Sequence, residues 1–557
     1  MGVDGARTDQ QLLTRLGAEM VDRFQAEGFW SSETIYDLAA RHCEGHPEAI
    51  AVSGSRHALS YRALLALADR IADELLAAGL RPGDRVALWL PSRVEIPIFL
   101  LACAREGFIL CPSLHRTHTV EEVLGLIEGM QAAAFVGEAG YGADGGERDL
   151  FAAIESLGLR RVYKLEPSAA PSQGVPMKPR ADDGAAASRG RGRANHIVYL
   201  AFTSGTTSEP KGVMHSNNTL LSNARALAQP WGFDRNSVVY SLSPLSHNLG
   251  FGAMILALFV GGRLVIHDLP RGASLLGALR EVGATFIFGV PAHAMDLLLE
   301  IEAAGRTDLP QLKGLRISGA AVPQSVVERL LSYGVTPQTG YGMTEAGSHN
   351  FTLPSDPEHR IVNTSGKTCA GYELATFSLD DPNRRQEPGE VGQIGGRGAS
   401  LMLGYFNDQL STERSFNDGG WFMTGDLGVI DEDGYVRITG RIKDVIIRGG
   451  HNIHPAKIES LAMRHPGVER AAAVPVKDER LGEKVCIVVM PKTGVTIDVH
   501  DLLKQMRGFG LSKYDMPEYF LEVEEIPLGA TGKILKRSLL LSLERGELVP
   551  TPVRVQA

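Results

Sequence analysis

The sequence is short of the features that mark secreted, zinc-binding or membrane-spanning proteins. Its 557 residues contain five scattered cysteines, an odd number with no CxxC pair, so neither a disulfide framework nor a zinc site is expected. The longest apolar stretches, 96–103 and 251–260, are too short to cross a bilayer. Residues 1–11 carry charges and no apolar core, so no signal peptide is expected. These absences favour a cytoplasmic protein without a transmembrane segment.

The sequence also lacks the long basic blocks of nucleic-acid-binding proteins. The net charge is −9, so nucleic acid is not an expected partner. Hydrophobic residues make up 44% of the chain, which is enough to fill large cores. At roughly 150 residues per domain, a chain of this length is expected to form several domains.

The most informative segment that is present is a run of small and hydroxyl residues after an apolar stretch at 196–200. The apolar stretch predicts a buried strand. Small residues let backbone N–H groups approach an anion closely, while hydroxyls and a lysine add donors and positive charge. The segment therefore predicts a polyphosphate-binding loop, with a Ser/Thr-rich surface loop as the alternative. Its phosphate-binding candidates are Thr203, Ser204, Gly205, Thr206, Thr207 and Lys211.

This segment differs from the common Walker nucleotide loop. Gly205 and Lys211 have the separation that the Walker pattern requires. However, Pro210 stands where the second glycine belongs, and Gly212 stands where the magnesium-binding hydroxyl belongs. The rest of the chain must therefore decide which kind of nucleotide site this is.

Hydrophobic periodicity predicts alternating helices and strands through residue 340. Such alternation predicts an α/β fold with a largely parallel sheet. The Gly-rich segment 389–404 predicts a smaller β-rich unit, and the part after 444 predicts a compact α+β domain. The predicted helices are 59–80, 98–107, 456–464 and 498–508, and the predicted strands are 85–90, 239–242, 263–266, 285–288, 471–474 and 485–489.

These patterns predict two domains joined by a hinge. Residues 1–440 form the large N-terminal domain, in which 166–194 is a flexible insert rich in Pro, Gly, Ala, Ser and Arg. The polar junction 441–443 is the expected hinge. Residues 444–557 form a small, mobile C-terminal domain.

Five short motifs follow one another along the chain. They are Thr203-Ser204-Gly205-Thr206-Thr207 with Pro210-Lys211-Gly212, Tyr341-Gly342-Met343-Thr344-Glu345, Thr424-Gly425-Asp426, Gly440-Arg441-Ile442-Lys443-Asp444 with Gly449-Gly450, and Gly529-Ala530-Thr531-Gly532-Lys533. In this order, between about residues 35 and 540, they resemble the adenylate-forming superfamily. That superfamily includes acyl-CoA synthetases, non-ribosomal peptide adenylation domains and luciferases.

The resemblance implies a two-step activation of a small carboxylic acid. The carboxylate attacks the α-phosphorus of ATP to give an acyl-adenylate and pyrophosphate, and a thiol then takes the acyl group. Because the first step brings an anion to a polyanion, cations and hydrogen-bond donors are required. The implied cofactors are ATP and Mg²⁺, with CoA as the co-substrate.

The resemblance assigns the nucleotide contacts to motif residues. The 203–211 loop is expected to hold the β- and γ-phosphates, and Asp426, with Arg441 nearby, the ribose hydroxyls. A carboxylate suits a vicinal diol because it offers two acceptor oxygens. The residues expected around the adenine are Gly319, Ala320, Ala321, Tyr341 and Gly342.

The same resemblance assigns the catalytic and metal-binding positions. Lys533 is expected to bridge the substrate carboxylate and the α-phosphate as a mobile point charge, although an isolated Gly-Lys pair is more often an exposed turn. Thr344 is expected at the α-phosphate, and Glu345 with Thr206 at Mg²⁺. His247 is expected between the acyl pocket and the thiol path, with a structural role as the alternative.

The C-terminal domain is expected to swing about Lys443. In one pose Lys533 faces the site, and in the other Gly449 and Gly450 line the CoA tunnel. Glycine is needed where backbone passes a ligand closely, although a simple hairpin turn also explains this pair.

Two local features are weighed against the resemblance. Ser208 stands where the family usually has glycine, which changes the flexibility expected of the loop. The histidines of the segment 451–454 could suggest a metal pair, but their spacing and the following Pro455 argue against zinc.

The acid is the least determined part of the prediction. The pair His247-Asn248 resembles aryl-acid-activating enzymes, and Gly250, Gly252 and Ala253 could leave room for a ring. Segment 444–450 resembles CoA ligases for cyclic or medium-chain acids. The residues expected to bind the acid are His247, Asn248, Gly252, Ser318, Gly319 and Gly347.

The sequence therefore predicts an acyl-CoA synthetase for a cyclic, aromatic or medium-chain acid. The first alternative is a stand-alone aryl-acid-adenylating enzyme that loads a separate carrier protein. A non-catalytic nucleotide-binding regulator is a different class, and the presence of both Glu345 and Lys533 argues against it. A homodimer is compatible with the sequence.

Overall fold

The computed structural model describes residues 16–167, 191–203, 210–270, 272–305, 309–529 and 533–553. Most of the predicted insert at 166–194 lies outside these residues. So do Ser204, Gly205, Thr206 and Thr207 of the phosphate loop, together with 530–532 of the last motif.

The first part of the chain alternates strands with helices, as predicted. The helix expected over 59–80 begins later, because Leu59 and Ser60 pair with a neighbouring strand and the Ser60 hydroxyl caps the helix at the N–H of Ala63. The strands are β1 (Ile50–Ser53), β2 (Ala58–Ser60), β3 (Arg85–Trp89), β4 (Ile109–Cys111), β5 (Ala132–Glu138) and β6 (Arg161–Leu165). The helices are α1 (Ala18–Ala26), α2 (Ile35–Gly45), α3 (Tyr61–Ala77), α4 (Glu95–Glu106), α5 (Val120–Gly129) and α6 (Leu150–Ile154), with a 3-10 turn at Glu155–Leu157.

The middle of the chain continues this alternation. Its strands are β7 (Ile197–Thr203), β8 (Lys211–Ser216), β9 (Val238–Ser241), β10 (Arg263–Ile266), β11 (Phe286–Gly289), β12 (Gly314–Ile317), β13 (Pro337–Met343), β14 (Gly347–Phe351) and β15 (Lys367–Thr368). Its helices are α7 (Asn217–Ala228), α8 (Asn248–Val260), α9 (Leu275–Val282), α10 (Pro291–Ala304), α11 (Gln324–Ser332) and α12 (Glu358–Asn363).

Two large mixed sheets form the N-terminal domain. One runs in the order β15-β14-β13-β12-β11-β9-β10-β1-β2, and its segment from β12 to β1 is parallel. The other sheet begins with β18 (Gly404–Tyr405) and runs β18-β8-β7-β4-β3-β5-β6. One continuous apolar core, which includes residues of α3, α4, α7 and α8, joins the two sheets. The carboxyl ends of parallel strands are where α/β proteins bind ligands.

A smaller β-rich unit follows, as the glycine-rich segment predicts. Its sheet has the order β16-β17-β19-β20 and is antiparallel throughout. The elements are β16 (Tyr372–Phe377), β17 (Gly392–Gly398), β18 (Gly404–Tyr405), α13 (Gln409–Arg414), β19 (Phe422–Ile430) and β20 (Val436–Arg441).

The remaining residues build a separate sheet with its own apolar core. After a 3-10 turn at Ile442–Asp444, the strands are β21 (Ile446–Arg448), β22 (His451–Ile453), β23 (Val468–Asp478), β24 (Gly482–Pro491), β25 (Tyr519–Glu522) and β26 (Thr551–Pro552). The helices are α14 (Pro455–Ala462), α15 (Val499–Gly508) and α16 (Lys536–Glu544). A large α/β N-terminal domain with a β-rich unit and a small α+β C-terminal domain confirms the predicted fold class. Among the described residues, no helix combines the length and the apolar character needed to cross a membrane.

Candidate active site

The predicted phosphate loop joins two antiparallel strands of one sheet. Thr203 at the end of β7 pairs with Lys211 at the start of β8. The loop is therefore a hairpin connection, whereas a Walker loop leads from a strand into a helix. The Lys211 ammonium lies 4.8 Å from the centroid of the Tyr405 ring, which belongs to the next strand of the sheet.

Tyr405 connects this lysine to Glu345. The Tyr405 hydroxyl donates a hydrogen bond of 2.9 Å to Oε1 of Glu345, a contact that the sequence analysis did not predict. Glu345 is buried, and loss of hydration raises its pKa, while hydrogen bonds from its own backbone N–H and from Tyr405 oppose the shift. The site thus holds a carboxylate that a cation would favour in its ionised form.

The backbone beside Glu345 is held by a buried histidine. His215 Nε2 lies 2.7 Å from the Thr344 carbonyl oxygen, and Nδ1 lies 3.0 Å from the Thr219 hydroxyl. Because a carbonyl only accepts, Nε2 must carry the proton. Burial lowers the pKa of His215 to about 4, so this imidazole is neutral near pH 7 and fixes the position of Thr344.

Asp426, which is expected to bind the ribose, contacts two other motif residues. Its Oδ2 accepts a hydrogen bond of 2.6 Å from the Tyr341 hydroxyl, and its Oδ1 lies 2.9 Å from Nε of Arg441. Asp426 and Arg441 are paired neighbours on β19 and β20, whereas Tyr341 comes from β13. The structure therefore brings together three motif residues from two sheets. Burial, then the charge of Asp426, raises the pKa of Tyr341.

A second aromatic layer lies behind Tyr341. The His349 ring is 5.0 Å from the Tyr341 ring at an interplanar angle of 22°, and Tyr372 packs edge-on against His349 at 4.9 Å. Burial lowers the pKa of His349 to about 3. Within the described ranges, neither ring nitrogen of His349 has a hydrogen-bond partner. No sequence motif identified this residue.

Glycines shape the edge expected to face the adenine. Gly319 has φ of 93°, in the left-handed region, directly before Ala320 and Ala321. A Cβ on Gly342 would lie 2.1 Å from the carbonyl oxygen of Gly347, which has φ of 67°. Only glycine fits these positions without displacing backbone.

The edge near Gly319 is also tied to the neighbouring strand. The Ser318 hydroxyl donates a hydrogen bond of 3.1 Å to the Gly340 carbonyl, next to Tyr341. The Ser318 hydroxyl therefore already donates its hydrogen to a backbone carbonyl. Its expected contact with the acid stays a prediction.

The acid-binding candidates lie at the start of α8. Asn248 Nδ2 donates to the Met343 carbonyl at 3.3 Å, which places α8 next to the end of β13. The His247 ring stacks on His115 with centroids 3.9 Å apart. A Cβ on Gly252 would meet no heavy atom of the described residues within 4 Å, so this position borders open space.

The expectation that Gly250 leaves room for a ring is wrong. A Cβ there would lie 2.4 Å from the Ser243 carbonyl oxygen and 2.3 Å from that of Pro244. Gly250 instead allows α8 to approach the preceding loop. Ala253 is also fully buried in the core, so of the three small residues Gly252 alone borders open space.

Lys533 lies close enough to Arg441 and Asp426 for their charges to affect its pKa. The residue keeps solvent-exposed surface, yet loss of hydration around the ammonium and then the charge of Arg441 lower the pKa of Lys533 to about 8. Asp426 and Asp444 raise it in part. The charges of Arg441 and Asp426 in the N-terminal site therefore affect the protonation of Lys533.

The other C-terminal candidates occupy turns. Lys443 is exposed within the 3-10 turn Ile442–Asp444. Gly449 and Gly450 connect β21 to β22 with φ of 57° and 85°, so they form the hairpin turn considered above. His451 pairs with Asp515 at 2.9 Å, and the described residues contain no cluster of three or more side chains suited to hold a metal ion.

Two mixed sheets, a β-rich unit and a small domain whose Lys533 lies within electrostatic range of the buried Asp426 agree with an adenylate-forming type of enzyme. Sequence models of families agree with this class. The model described as AMP-binding enzyme matches residues 39–406, and the model of the AMP-binding enzyme C-terminal domain matches 457–533. The chain belongs to the AMP-binding enzyme family, in the adenylate-forming superfamily.

Individual relatives match over nearly the whole chain. A medium-chain fatty-acid–CoA ligase of Escherichia coli is 29% identical, covering 92% of this chain and 91% of its own. A salicylyl-CoA synthase / salicylate adenylyltransferase of Streptomyces is 30% identical, covering 94% and 96%. The crystal structure of ATP-bound MatB from Rhodopseudomonas palustris superposes with a TM-score of 0.79 at 28% identity, covering 92% of this chain and 99% of that chain.

Proposed function

We propose that the protein activates a carboxylic acid with ATP and transfers the acyl group to CoA. In the first step a carboxylate oxygen bonds to the α-phosphorus and pyrophosphate leaves. In the second step the CoA sulfur bonds to the acyl carbon, the bond to AMP breaks and the thiol proton is released. The observation that carries this proposal is the contact of Asp426 with both Tyr341 and Arg441, with Lys533 close enough for the charges of Asp426 and Arg441 to affect its pKa.

In this proposal Asp426 binds the two ribose hydroxyls and Tyr341 lies against the adenine. A carboxylate offers about four lone-pair sites, so ribose hydroxyls can join the contacts from Tyr341 and Arg441. Thr203 and Lys211 flank the segment that holds the β- and γ-phosphates, and Thr344 is positioned at the α-phosphate by His215.

The donor set near Glu345 fits Mg²⁺. This ion prefers carboxylate, hydroxyl and phosphate oxygens and usually keeps several waters. Glu345 supplies a buried carboxylate, and the other proposed ligand, Thr206, lies outside the described residues. When bound, the ion neutralises phosphate charge. Tyr405 orients the carboxylate by its hydrogen bond.

Lys533 supplies the mobile positive charge of the first step. We propose residues 1–440 as the N-terminal domain and 444–557 as the C-terminal domain, which turns about 441–443 between the two steps. After the turn, the hairpin of Gly449 and Gly450 passes the CoA thiol path. The exposure of both glycines supports that role.

For the acid we propose a cyclic, aromatic or medium-chain compound. The Asn248 amide nitrogen donates to the Met343 carbonyl. Within the described part of the chain, no donor reaches the amide oxygen of Asn248. An acceptor in that place favours an acid with a hydroxyl or amino group near the carboxylate. The names of the salicylyl and medium-chain relatives support this range.

The second candidate is a stand-alone aryl-acid-adenylating enzyme that loads the phosphopantetheine of a carrier protein. The adenylyltransferase name of the Streptomyces relative supports it. Both candidates share the first step and differ in the thiol acceptor.

A pyrophosphate-release screen tests the proposal. A panel of benzoic, hydroxybenzoic, cinnamic and medium-chain fatty acids is incubated with ATP and Mg²⁺, with and without CoA, and products are identified by mass spectrometry. Turnover stimulated by CoA with formation of acyl-CoA supports the first candidate. An acyl-adenylate that CoA does not discharge, but a phosphopantetheinylated carrier does, supports the second. Absence of pyrophosphate release with every acid contradicts both.

A further inference from the structure

His247 forms a contact that joins the two large sheets. It precedes α8 and follows β9 in one sheet, whereas His115 follows β4 in the other. Their rings lie 3.9 Å apart at an interplanar angle of 9°, so they face each other almost in parallel. Because each histidine follows a parallel strand at its carboxyl end, the contact lies at the edge where ligands bind.

Hydrogen bonds hold both the backbone and the ring of His115. Its backbone N–H donates to His118 Nδ1 at 3.1 Å, and its carbonyl accepts from Trp89 Nε1 at 3.0 Å. Its ring Nδ1 lies 3.3 Å from the Ser246 hydroxyl. The His115 ring is therefore a fixed surface against which His247 rests.

Both rings are neutral in this environment. Burial, then the neighbouring His247 and His118, lower the pKa of His115 to about 2. Burial and His118 lower the pKa of His247 to about 4. The pKa of His118 is lowered as well, against an opposing effect of Glu122. A proton on either ring would place a charge where water is excluded, so both rings stay neutral. The neutral His247 ring can therefore form a flat side of the neighbouring space.

The space beside the His247 ring is bordered by one face of α8. Asn248 and Gly252 are one helical turn apart and lie on the same face. Asn248 is fixed by Met343, and the Gly252 position borders open space. The orientation of the His247 ring at the start of this face therefore sets the width of the space beside it.

We propose that His115 is a positioning residue that holds the His247 ring in the stack and so restricts the acid pocket to flat acids. The inference rests on the proposed function, in which the face of α8 that carries Asn248 and Gly252 binds the acid. Without the stack, His247 can turn away, and the pocket admits bulkier acids.

Three substitutions of one residue test this role. His115→Phe keeps a flat ring, His115→Leu keeps volume without a flat ring, and His115→Ala removes both; exposed His500→Ala is the matched control. We expect the Leu and Ala variants to shift kcat/KM toward a branched or naphthoic acid over benzoate by about fivefold, the scale of one aromatic stack. The Phe and His500 variants should stay near wild type, and KM for ATP should be unchanged in all.

NMR titration of the His247 ring separates this proposal from the proposed function. In His115→Leu we expect the released His247 ring to turn toward solvent, so that it loses the burial that lowers its pKa and the pKa rises toward its ordinary value of 6.5. In His115→Phe the ring should stay buried in the stack, and its pKa should stay low. The pKa of His247 could rise in His115→Leu even though the wild type turns over no acid. That result would support the positioning role of His115 and contradict only the proposed function. Unchanged selectivity in a folded Leu variant, or an unchanged pKa of His247, would overturn the proposal.

Discussion

Tyr341 makes two contacts that a single substitution separates. Its ring stacks on His349, and its hydroxyl holds Asp426 at 2.6 Å. Tyr341→Phe keeps the ring and removes the hydroxyl. We expect KM for ATP to rise about tenfold with kcat nearly unchanged, because a hydrogen bond to a charged group contributes roughly 1.5–3 kcal/mol and this one orients the ribose-binding carboxylate before and after reaction alike.

Steady-state kinetics of the adenylating step with varied ATP measures this effect. The exposed Tyr514→Phe variant is the control for loss of a phenolic hydroxyl. A lower KM in Tyr341→Phe would show instead that the hydroxyl competes with the ribose for Asp426.

Substitution of Lys533 should affect the two half-reactions differently. Lys533→Ala is expected to abolish acyl-adenylate formation, because the developing charge loses its mobile cation, and to spare thiolysis of supplied adenylate. Single-turnover assays of each half-reaction measure this, with exposed Lys492→Ala as the control. Equal loss of both half-reactions would refute the role.

The pKa of Lys533 predicts a pH dependence. With the pKa lowered to about 8, the ammonium is present below that pH and is lost as pH rises through it. We expect kcat/KM for ATP, which reports the free enzyme, to fall above about pH 8. In Lys533→Arg the residual activity should show no such fall, since arginine stays charged. A wild-type profile that is flat to pH 9.5 would contradict the assignment.

The sequence motifs predicted that residues distant in the chain lie close together. Tyr341, Asp426 and Arg441 were expected at one nucleotide, and the structure brings Tyr341 and Arg441 into contact with Asp426, while their nucleotide contacts stay a prediction. The supporting contacts escaped prediction. Tyr405 reaches Glu345, and His115 stacks on His247, across sheets whose pairing no local pattern encodes.

At the level of elements, the start of α8 depends on two glycines with opposite surroundings. Gly250→Ala places a Cβ against two backbone carbonyls, so the helix must move away from its loop. We expect a loss of about 1–3 kcal/mol in the free energy of unfolding, in spite of the better helix propensity of alanine. Gly252→Ala meets no described atom, and its stability should be equal or higher by up to ~1 kcal/mol.

Denaturant unfolding and acid kinetics of the two variants form a matched pair. Gly252→Ala should lower kcat/KM for the preferred acid through its extra methyl group and leave KM for ATP unchanged. A Gly252→Ala variant with unaltered acid selectivity would remove this position from the proposed acid pocket.

Elements were predictable where local pattern and tertiary contacts agree. The strand at 263–266 matches β10, because its apolar residues are buried between parallel neighbours. The helix expected over 59–80 loses its first two residues to strand β2. The hairpin of β7 and β8 was not predicted either, because the connection 204–210 is longer than the two-residue turns that mark a hairpin in a sequence.

At the scale of the whole molecule, Lys533 lies within electrostatic range of Arg441 and Asp426, as the proposed adenylating step requires. A pair of opposite charges from the two domains also lies within electrostatic range away from that site. Burial raises the pKa of Asp296 on α10, and the charge of Arg470 on β23 partly offsets that shift. An attraction between exposed charges of this kind contributes up to ~1 kcal/mol and is screened by salt.

Arg470→Glu should therefore weaken this arrangement by repulsion from Asp296. We expect the rate of adenylate formation at low salt to fall about two- to fivefold, the equivalent of ~0.5–1 kcal/mol, while thiolysis of supplied adenylate is unchanged or faster. The reversed pair Arg470→Glu with Asp296→Lys should restore the rate, and 0.5 M salt should reduce every difference because it screens exposed charges. Both half-reactions are measured at two ionic strengths. If the double variant were as slow as Arg470→Glu alone, the effect would not come from this contact between domains.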